Sequence, residues 1–592
     1  MKELEYPFEG GVLISKRKSI LRKLRKSVSQ SFLSKKIAIL GGSTTASIRD
    51  MLEVFLLSQG IDPEFYESEY AQYWQDAMFG ENLIEFKPDI IFIHTSFRNI
   101  KELPNLHDSV RTIDLKLEKG FEYFKTMWEK LISRCHCPII QNNFERPIWR
   151  LMGNRDAWDL RGVTNFVSRL NQRFYEFAQT HSDFFINDID YLCAQYGLDK
   201  WHDVYYWHMF KYALAVPATP LLAFSVANII KSIYGKNKKA LVLDLDNTLW
   251  GGVIGDDGVD GIGLGPEVSM GQAYSEFQSY VKSLKDIGVI LTVSSKNEEG
   301  NAIAGLNHPD TVLHQEDFAV IKANWNNKDL NIREIATTLN IGIDSLVFVD
   351  DNPAERAIVR CQLPEVTILE VNIVEDYIRT IDNNGYFETT NFSAEDLVKS
   401  KMYTENTKRA ELALSFGDYR DFLISLKMIA VIRDFEPIYM QRISQLTNKS
   451  NQFNLTTKRY SQSDIEQVTV SSEYIRLYGK LSDKFGDNGL VSVIIGKKKG
   501  DILDIEVWLM SCRVLKRQME DAMLDRLVEE AQKVGIKTLK GYYYPTVKNA
   551  MVRDFYKIQG FTKINEDSVG NSQWTLDIQS YNKRNDVIEV KK

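Results

Sequence analysis

The run Ala240-Leu-Val-Leu-Asp-Leu-Asp-Asn-Thr-Leu-Trp250 constrains this chain more than any other, because an apolar stretch ends in two carboxylates one residue apart. Side chains alternate along a strand, so Asp244 and Asp246 leave its C-terminal end on the same side, where both can reach one metal ion or one phosphorus centre. Two carboxylates so crowded repel each other. A divalent cation relieves that repulsion and draws a phosphate in, and Mg2+ suits a few carboxylates completed by substrate oxygens. One Asp can then attack phosphorus while the other passes a proton to the leaving oxygen. Three further pieces follow in order. Val289-Ile-Leu-Thr-Val-Ser-Ser295 is a second apolar strand ending in hydroxyls, Lys328 opens a helical run over 331–339, and Ser345-Leu-Val-Phe-Val-Asp-Asp351 is a third strand ending in paired carboxylates.

Asp244-Leu-Asp-Asn-Thr-Leu-Trp-Gly-Gly-Val-Ile-Gly-Asp-Asp-Gly258, Ser295-Lys-Asn297, Ile321-Lys-Ala-Asn-Trp-Asn-Asn-Lys328 and Val349-Asp-Asp-Asn-Pro-Ala-Glu-Arg356 together resemble the FkbH-like branch of the haloacid dehalogenase (HAD) superfamily, the subfamily IIIC phosphatases. The resemblance is tight over 240–375. Carried over position by position, it implies that Asp244 is the nucleophile, Asp246 the general acid and base, and Ser295 a donor to the phosphoryl group. It implies that Lys328 neutralises the pentacoordinate charge, and that Asp244, Asp246, Asp350 and Asp351 form the Mg2+ site, with Asp351 favoured as the direct ligand of the last pair. Many HAD enzymes carry a bulky cap after the first or second motif. Here only a Gly/Asp-rich loop over 251–265 and a helix over 269–287 separate Asp246 from Ser295, so the mouth is expected to be open or covered by a neighbouring domain.

At 592 residues the chain is too long for one core. Its composition, 44% hydrophobic and 26% charged, is that of an ordinary soluble protein, and a net charge of -7 gives no basis for a nucleic-acid surface. No run of about 18 apolar residues stands out, so no membrane span is expected. The segment 16–26 is basic, but Glu3, Glu5 and Glu9 precede it and no signal-peptide core follows, which points to the cytoplasm. Ile20, Leu21, Leu24, Val28 and Phe32 read as the stripe of a first helix packed on a core. Five cysteines, an odd number, do not make a disulfide framework.

The flanks read as two more α/β units. Lys36-Ile-Ala-Ile-Leu-Gly-Gly-Ser-Thr44 is a strand feeding a Gly-rich turn, and Pro88-Asp-Ile-Ile-Phe-Ile-His-Thr-Ser96 and Pro138-Ile-Ile-Gln141 are later strands separated by helices. The turn resembles the nucleophile block of SGNH-type hydrolases, which implies a Ser43/Asp203/His208 triad. Two departures stand against it: no Asp precedes Ser43, and Asp203 lies five residues before His208 instead of three. In the C-terminal part, Asp501-Ile-Leu-Asp-Ile-Glu-Val-Trp-Leu-Met510, a helix over 518–534, a strand over 538–544 and a terminal Phe-Tyr-x-x-x-Gly-Phe561 resemble GNAT-type acyltransferases. These folds hold the coenzyme A pyrophosphate on N–H groups at a helix start, where glycines allow close approach. Here Arg513-Val-Leu-Lys-Arg-Gln-Met519 puts Lys516 and Gln518 at those places, leaving Lys516 and Arg517 to hold a phosphate by charge or to sit in solvent. Cys512, beside these cations, is a candidate acyl-carrying thiol.

The expected architecture is α/β and multidomain: an SGNH-like domain at 1–235, a Rossmann-like HAD core without a large cap at 236–385, and a GNAT-like domain at 395–582. FkbH-like proteins are associated with loading a glyceryl unit from a bisphosphorylated acid onto the phosphopantetheine thiol of an acyl carrier protein. The expected function is therefore Mg2+-dependent dephosphorylation of a small phosphorylated acid coupled to acyl loading. A plain phosphomonoesterase of sugar or surface-polysaccharide metabolism is a second reading, and a carrier-binding scaffold with residual HAD chemistry a third.

Overall fold

The computed structural model describes residues 2–28, 32–267, 269–546 and 548–591. Two compact units result, one of residues 1–234 with 460–466, the other of 235–459 with 467–592. In the first, strands β1 (Leu33–Gly41), β2 (Ile61–Glu67), β3 (Ile90–His94), β4 (Ile139–Asn142) and β5 (Phe184–Asn187) form a parallel sheet in the order β2-β1-β3-β4-β5. Parallel strands need helical crossovers, and these cover both faces. Helices Gly10–Ser27, Ala46–Ser58 and Thr219–Ile233 close one face, and Val110–Cys135 with Val163–Thr180 the other. Ile20 and Leu24 of the basic N-terminal helix are buried in that core, and Val28 and Phe32 pack at its margin.

One stretch among the described residues, Val216–Ile233, is long and apolar enough to cross a membrane, with a mean hydropathy of 1.4, and it corrects the expectation that none exists. It is 72% buried inside the first unit, because a helix lying between a sheet and its neighbours is apolar all round.

The second unit opens with β6 (Ala240–Leu243), β7 (Ile290–Ser295), β8 (Val320–Ala323), β9 (Leu346–Val349) and β10 (Thr367–Ile368), all parallel in the order β10-β9-β6-β7-β8. β6 is central and covered on both faces, so its four residues are all apolar and fully buried. Each larger one contributes about 1.5–3 kcal/mol to stability. Helices Ser269–Asp286 and Tyr377–Asn383 pack on one face; Lys328–Leu339 and Pro353–Gln362 pack on the other.

A third, mostly antiparallel sheet follows in the same unit: β11 (Met428–Arg433), β12 (Phe453–Asn454), β13 (Tyr474–Asp483), β14 (Gly486–Lys499), β15 (Ile502–Met510), β16 (Thr538–Tyr543), β17 (Thr562–Glu566), β18 (Ser572–Asp577) and β19 (Ile588–Lys591). Its order is β17-β18-β16-β15-β14-β13-β11-β19, with β12 on the edge of β15, and the helix Met519–Lys533 packs against it. β19 lies beyond residue 582, the end expected for this domain. The second and third sheets belong to one compact unit, joined by the helix Ala394–Ala413, whose Tyr403 is buried in the same apolar cluster as Leu339 and Phe348.

Candidate active site

In the second sheet the chain leaves β6 towards β7 on one side while β9 lies on the other. That reversal opens a crevice at the C-terminal ends of β6 and β9, the usual ligand site of open parallel sheets. Asp244 follows β6 there, its N–H bonded to the Val349 carbonyl at 2.9 Å, and Asp350 and Asp351 follow β9. One carboxylate oxygen from each of Asp244, Asp350 and Asp351 lies within 4.8 Å of the other two. Lys328, the first residue of its helix and only 2% exposed, reaches between them: its Nζ is 2.8 Å from Asp244 Oδ2 and is also paired with Asp350. Burial works against charge on Lys328, but Asp244 and Asp350 outweigh it and hold the ammonium above its usual range. Burial, then the Asp244 charge, pushes Asp350 and Asp351 up.

Asp246, expected among the metal residues, is not one of the three carboxylates that cluster here: its side-chain oxygens are engaged elsewhere. Its Oδ1 accepts from Trp250 Nε1 at 2.9 Å and from the Ile254 N–H at 3.1 Å, and its Oδ2 accepts from Asn297 Nδ2 at 3.1 Å. The loop after Asp246 doubles back so that Gly251 and Gly263 face each other backbone to backbone, with N–H to carbonyl distances of 3.1 and 2.7 Å. A side chain at Gly251 would strike the Tyr274 ring at 2.9 Å. Burial raises the Asp246 carboxyl, opposed by the Ile254 and Trp250 donors. Ser295 ends β7, buried, at the same end of the sheet.

Four supporting residues lay unassigned inside the motif strings. The Thr248 hydroxyl accepts the Asp351 N–H at 3.2 Å, and Asn297 and Trp250 hold Asp246. Arg356, also buried, donates to the Asp350 and Asp351 carbonyls at 2.6 and 2.8 Å. Their proximity in sequence to the Asp pairs was the available signal.

The residues fit a hard divalent cation. Asp244 Oδ1 is buried with no hydrogen-bond partner among the described residues, and it sits beside two further carboxylates. Among the described residues, the helix Ser269–Asp286, a few shorter helical turns and β8 are all that separate Asp246 from Ser295 and Ser295 from Lys328, with no inserted domain in either interval. Among the described residues, three bonded contacts between the second sheet's elements and the region of the third lie away from the crevice. Thr407 Oγ1 donates to the Ala319 carbonyl, Asn340 Nδ2 to the Cys512 carbonyl, and Lys548 pairs with Asp344; the partners on the second sheet's side lie where β8 and β9 begin or where the Lys328 helix ends.

Cys512 is therefore not brought to Asp244. It lies against Asn340, twelve residues along the helix from Lys328 and so roughly 18 Å away. Its Sγ is 3.9 Å from the buried Tyr403 hydroxyl. The turn after it is not an open basic cradle. Arg517 is buried, bonded to Asp483 at 3.2 Å, Asn406 at 2.7 Å and the Arg513 carbonyl at 2.8 Å, which leaves Lys516 as the exposed cation of the pair.

In the first unit the Ser43/Asp203/His208 triad is not assembled. Ser43 Oγ is buried without a partner among the described residues, Asp203 caps the helix Val204–Phe210 by accepting the Tyr206 N–H at 3.0 Å, and His208 is exposed on that helix. The wider spacing places the Asp before a helix start, where its carboxylate is consumed. Phe97 touches both buried His202 and buried Glu145 instead: its ring meets His202 at 5.8 Å and its N–H donates to Glu145 at 3.3 Å.

Residues 36–231 match the family described as FkbH, N-terminal domain. The chain is similar to the N-terminal part of the protein BF1531 from Bacteroides fragilis, a crystal structure containing a phosphatase domain complexed with Mg. The two share 34% identity over 64% of this chain and 99% of that one, with a TM-score of 0.59. A quarter of the chain is also similar to two acetyltransferases. One is the ribosomal-protein-S18-alanine N-acetyltransferase of Escherichia coli (14% identity, 25% of this chain, 94% of that one, TM-score 0.21). The other is the PaiA N-acetyltransferase of Thermoplasma acidophilum in complex with coenzyme A (16% identity, 25% of this chain, 98% of that one, TM-score 0.20). No curated protein matches.

Proposed function

We propose, since this chain belongs to the FkbH-like family of HAD-superfamily phosphatases, that it is a magnesium-dependent phosphoryl-transfer enzyme that dephosphorylates a small phosphorylated acid and loads its acyl unit onto an acyl carrier protein. The observation that carries this reading is the convergence of Asp244, Lys328, Asp350 and Asp351 at one crevice. Asp244, Asp350 and Asp351 would hold the Mg2+, and the ion would supply charge neutralisation for phosphate oxygens.

Asp244 attacks phosphorus, and the bond to the leaving oxygen breaks as Asp246 supplies its proton. The raised Asp246 carboxyl suits that donation. Lys328 stabilises the charge on the transferring group, and Ser295 donates to it. Water then attacks the aspartyl phosphate, with Asp246 taking the proton. On an acid that is also an acyl phosphate, the carrier thiolate attacks the acyl carbon and phosphate departs. A mouth without an inserted cap supports a large, carrier-bound partner. All five cysteines are free, which supports a reducing, cytoplasmic setting.

The distance of Cys512 from Asp244 favours the second reading, a plain phosphomonoesterase, over any relay through an enzyme thiol. Incubation with Mg2+, a panel of phosphorylated acids and holo carrier protein separates the two. Phosphate release together with a carrier mass increase supports acyl loading, phosphate release alone supports the phosphatase, and neither leaves only a scaffold.

A further inference from the structure

The second unit also gathers cations that its own carboxylates do not balance. On the helix Met440–Lys449, Arg442, Gln445 and Lys449 recur at spacings of three and four and so share a face. On the helix Ala394–Ala413, Lys399 stands three residues from Asp396 and four from Glu395, within reach of both. Arg513, after β15, and Lys239, before β6, complete the group, and the cations repel one another: Lys399 feels Lys449, Lys239 and Arg513, and Lys449 feels Arg442 and Lys239.

Five cations thus face two carboxylates, of which Asp396 answers Lys449, Lys399 and Arg442 in part: they and the Ser393 hydrogen bond outweigh burial and hold its carboxyl below the usual range. Glu395 pairs with Arg442 at 2.8 Å, lies 3.7 Å from Arg513 and accepts the Leu490 N–H at 3.2 Å. Asp396 accepts from the Ser393 N–H at 3.0 Å and hydroxyl at 2.7 Å. Neither Lys399 nor Lys449 forms an ion pair among the described residues. Gln445 is 4% exposed, its Oε1 accepts from Arg442 at 3.2 Å, and its Nε2 has no acceptor; nor has Arg442 Nε. Burial, then Lys449, brings Lys399 down to about 7. Unanswered buried donors are costly unless something answers them, and clustered like charges repel even where, as at Lys399 and Lys449, the side chains are only part-buried.

We propose that Lys399, Lys449, Arg442 and Gln445 form a binding site for a phosphate-bearing small anion, separate from the Asp244 crevice. Several donors and more than one surplus positive charge match a dianion with many acceptor oxygens better than a carboxylate or chloride. Lys239 precedes β6 and Asp244 follows it, so the two sites lie at opposite ends of one strand, roughly 16 Å apart.

The test uses the full chain in EDTA, titrated calorimetrically with inorganic phosphate and with pyrophosphate at constant ionic strength, beside thermal melting in chloride alone. For Lys399→Gln/Lys449→Gln we expect pyrophosphate affinity at least tenfold weaker, aryl phosphatase activity with Mg2+ unchanged, and a melting temperature in chloride equal to or above the parent's, since repulsion has been relieved. Lys399→Arg/Lys449→Arg should keep the binding. The proposal is overturned if the Gln variant binds pyrophosphate within twofold of the parent, if Lys328→Met alone abolishes all anion binding, or if the Gln variant melts below the parent in chloride.

Discussion

Lys328 sits between Asp244 and Asp350 with almost no contact with water, and the site's electrostatics follow from that placement. Without an ammonium there, three crowded carboxylates would face one another in a poorly hydrated crevice. Asp244→Asn keeps the shape and removes the nucleophilic charge, so phosphate release is expected to fall by at least 10³-fold with the circular dichroism spectrum unchanged. Parent-like turnover, with deamidation excluded by mass, would remove Asp244 from the chemistry. In the first unit Glu145 offers a pH test. Burial pushes its carboxyl from 4.5 up to about 8. The folded state therefore keeps a proton that the unfolded chain releases, and the resulting stability is present at pH 4.5 and below and lost as pH rises towards 8. Glu145→Gln lacks this titration. The stability of the variant relative to the parent should rise by about 1 kcal/mol per pH unit between pH 5 and 8. Melting curves whose difference stays constant across that range would refute the assignment.

At the scale of elements, the helix Lys328–Leu339 connects two regions of the second unit. Its first residue serves the carboxylates, and Asn340, just past its end at φ +52°, donates to the Cys512 carbonyl at 2.8 Å. Asn340→Ala loses that bond and places a side chain in the left-handed region, so it should cost about 1–2 kcal/mol. Asn340→Gly, which pays no steric cost there, should cost less. Cys512→Ser should leave phosphate release unchanged, because the thiol lies at the wrong end of this helix; a loss above tenfold in an equally stable variant would contradict that. The turn before the helix Met519–Lys533 shows a related economy. Lys516 and Gln518 take φ values of +65° and +60°, the conformation glycines adopt freely, at about 1–2 kcal/mol each. The turn keeps a glycine-like backbone while its arginines are spent on Asp483, Asn406 and Glu395.

At the scale of the whole molecule, the second and third sheets form one unit, so the expected boundary near 385 is a poor place to cut. A fragment 236–385 loses Tyr403 from the face built by Leu339 and Phe348, a loss of about 2–3 kcal/mol for one buried aromatic. The fragment 235–592 should hydrolyse aryl phosphates with Mg2+ close to the full-length rate, whereas 236–385 should melt several degrees lower. Equal melting temperatures would show that the third sheet does not support the catalytic core. Strands β1, β3, β4, β6, β7, β9, β15 and β16, the parallel pairing in the first sheet and the placing of Asp244, Asp350 and Asp351 at strand ends were legible in the sequence; β2, β5, β8 and β10 and the order of the strands were not. Each legible feature depends on side-chain alternation and on residues at the ends of successive strands, which chain order alone lines up. Tertiary structure alone decided that Asp246 turns to Trp250, Ile254 and Asn297, that Asp203 caps a helix instead of serving Ser43, and that Cys512 faces Asn340. It also brought Lys239, Lys399, Arg442, Lys449 and Arg513 together from four stretches of chain. Local pattern reports what a residue's neighbours in sequence require, but a carboxylate's partner or a lysine's charge balance depends on groups up to hundreds of residues away, which only packing makes adjacent.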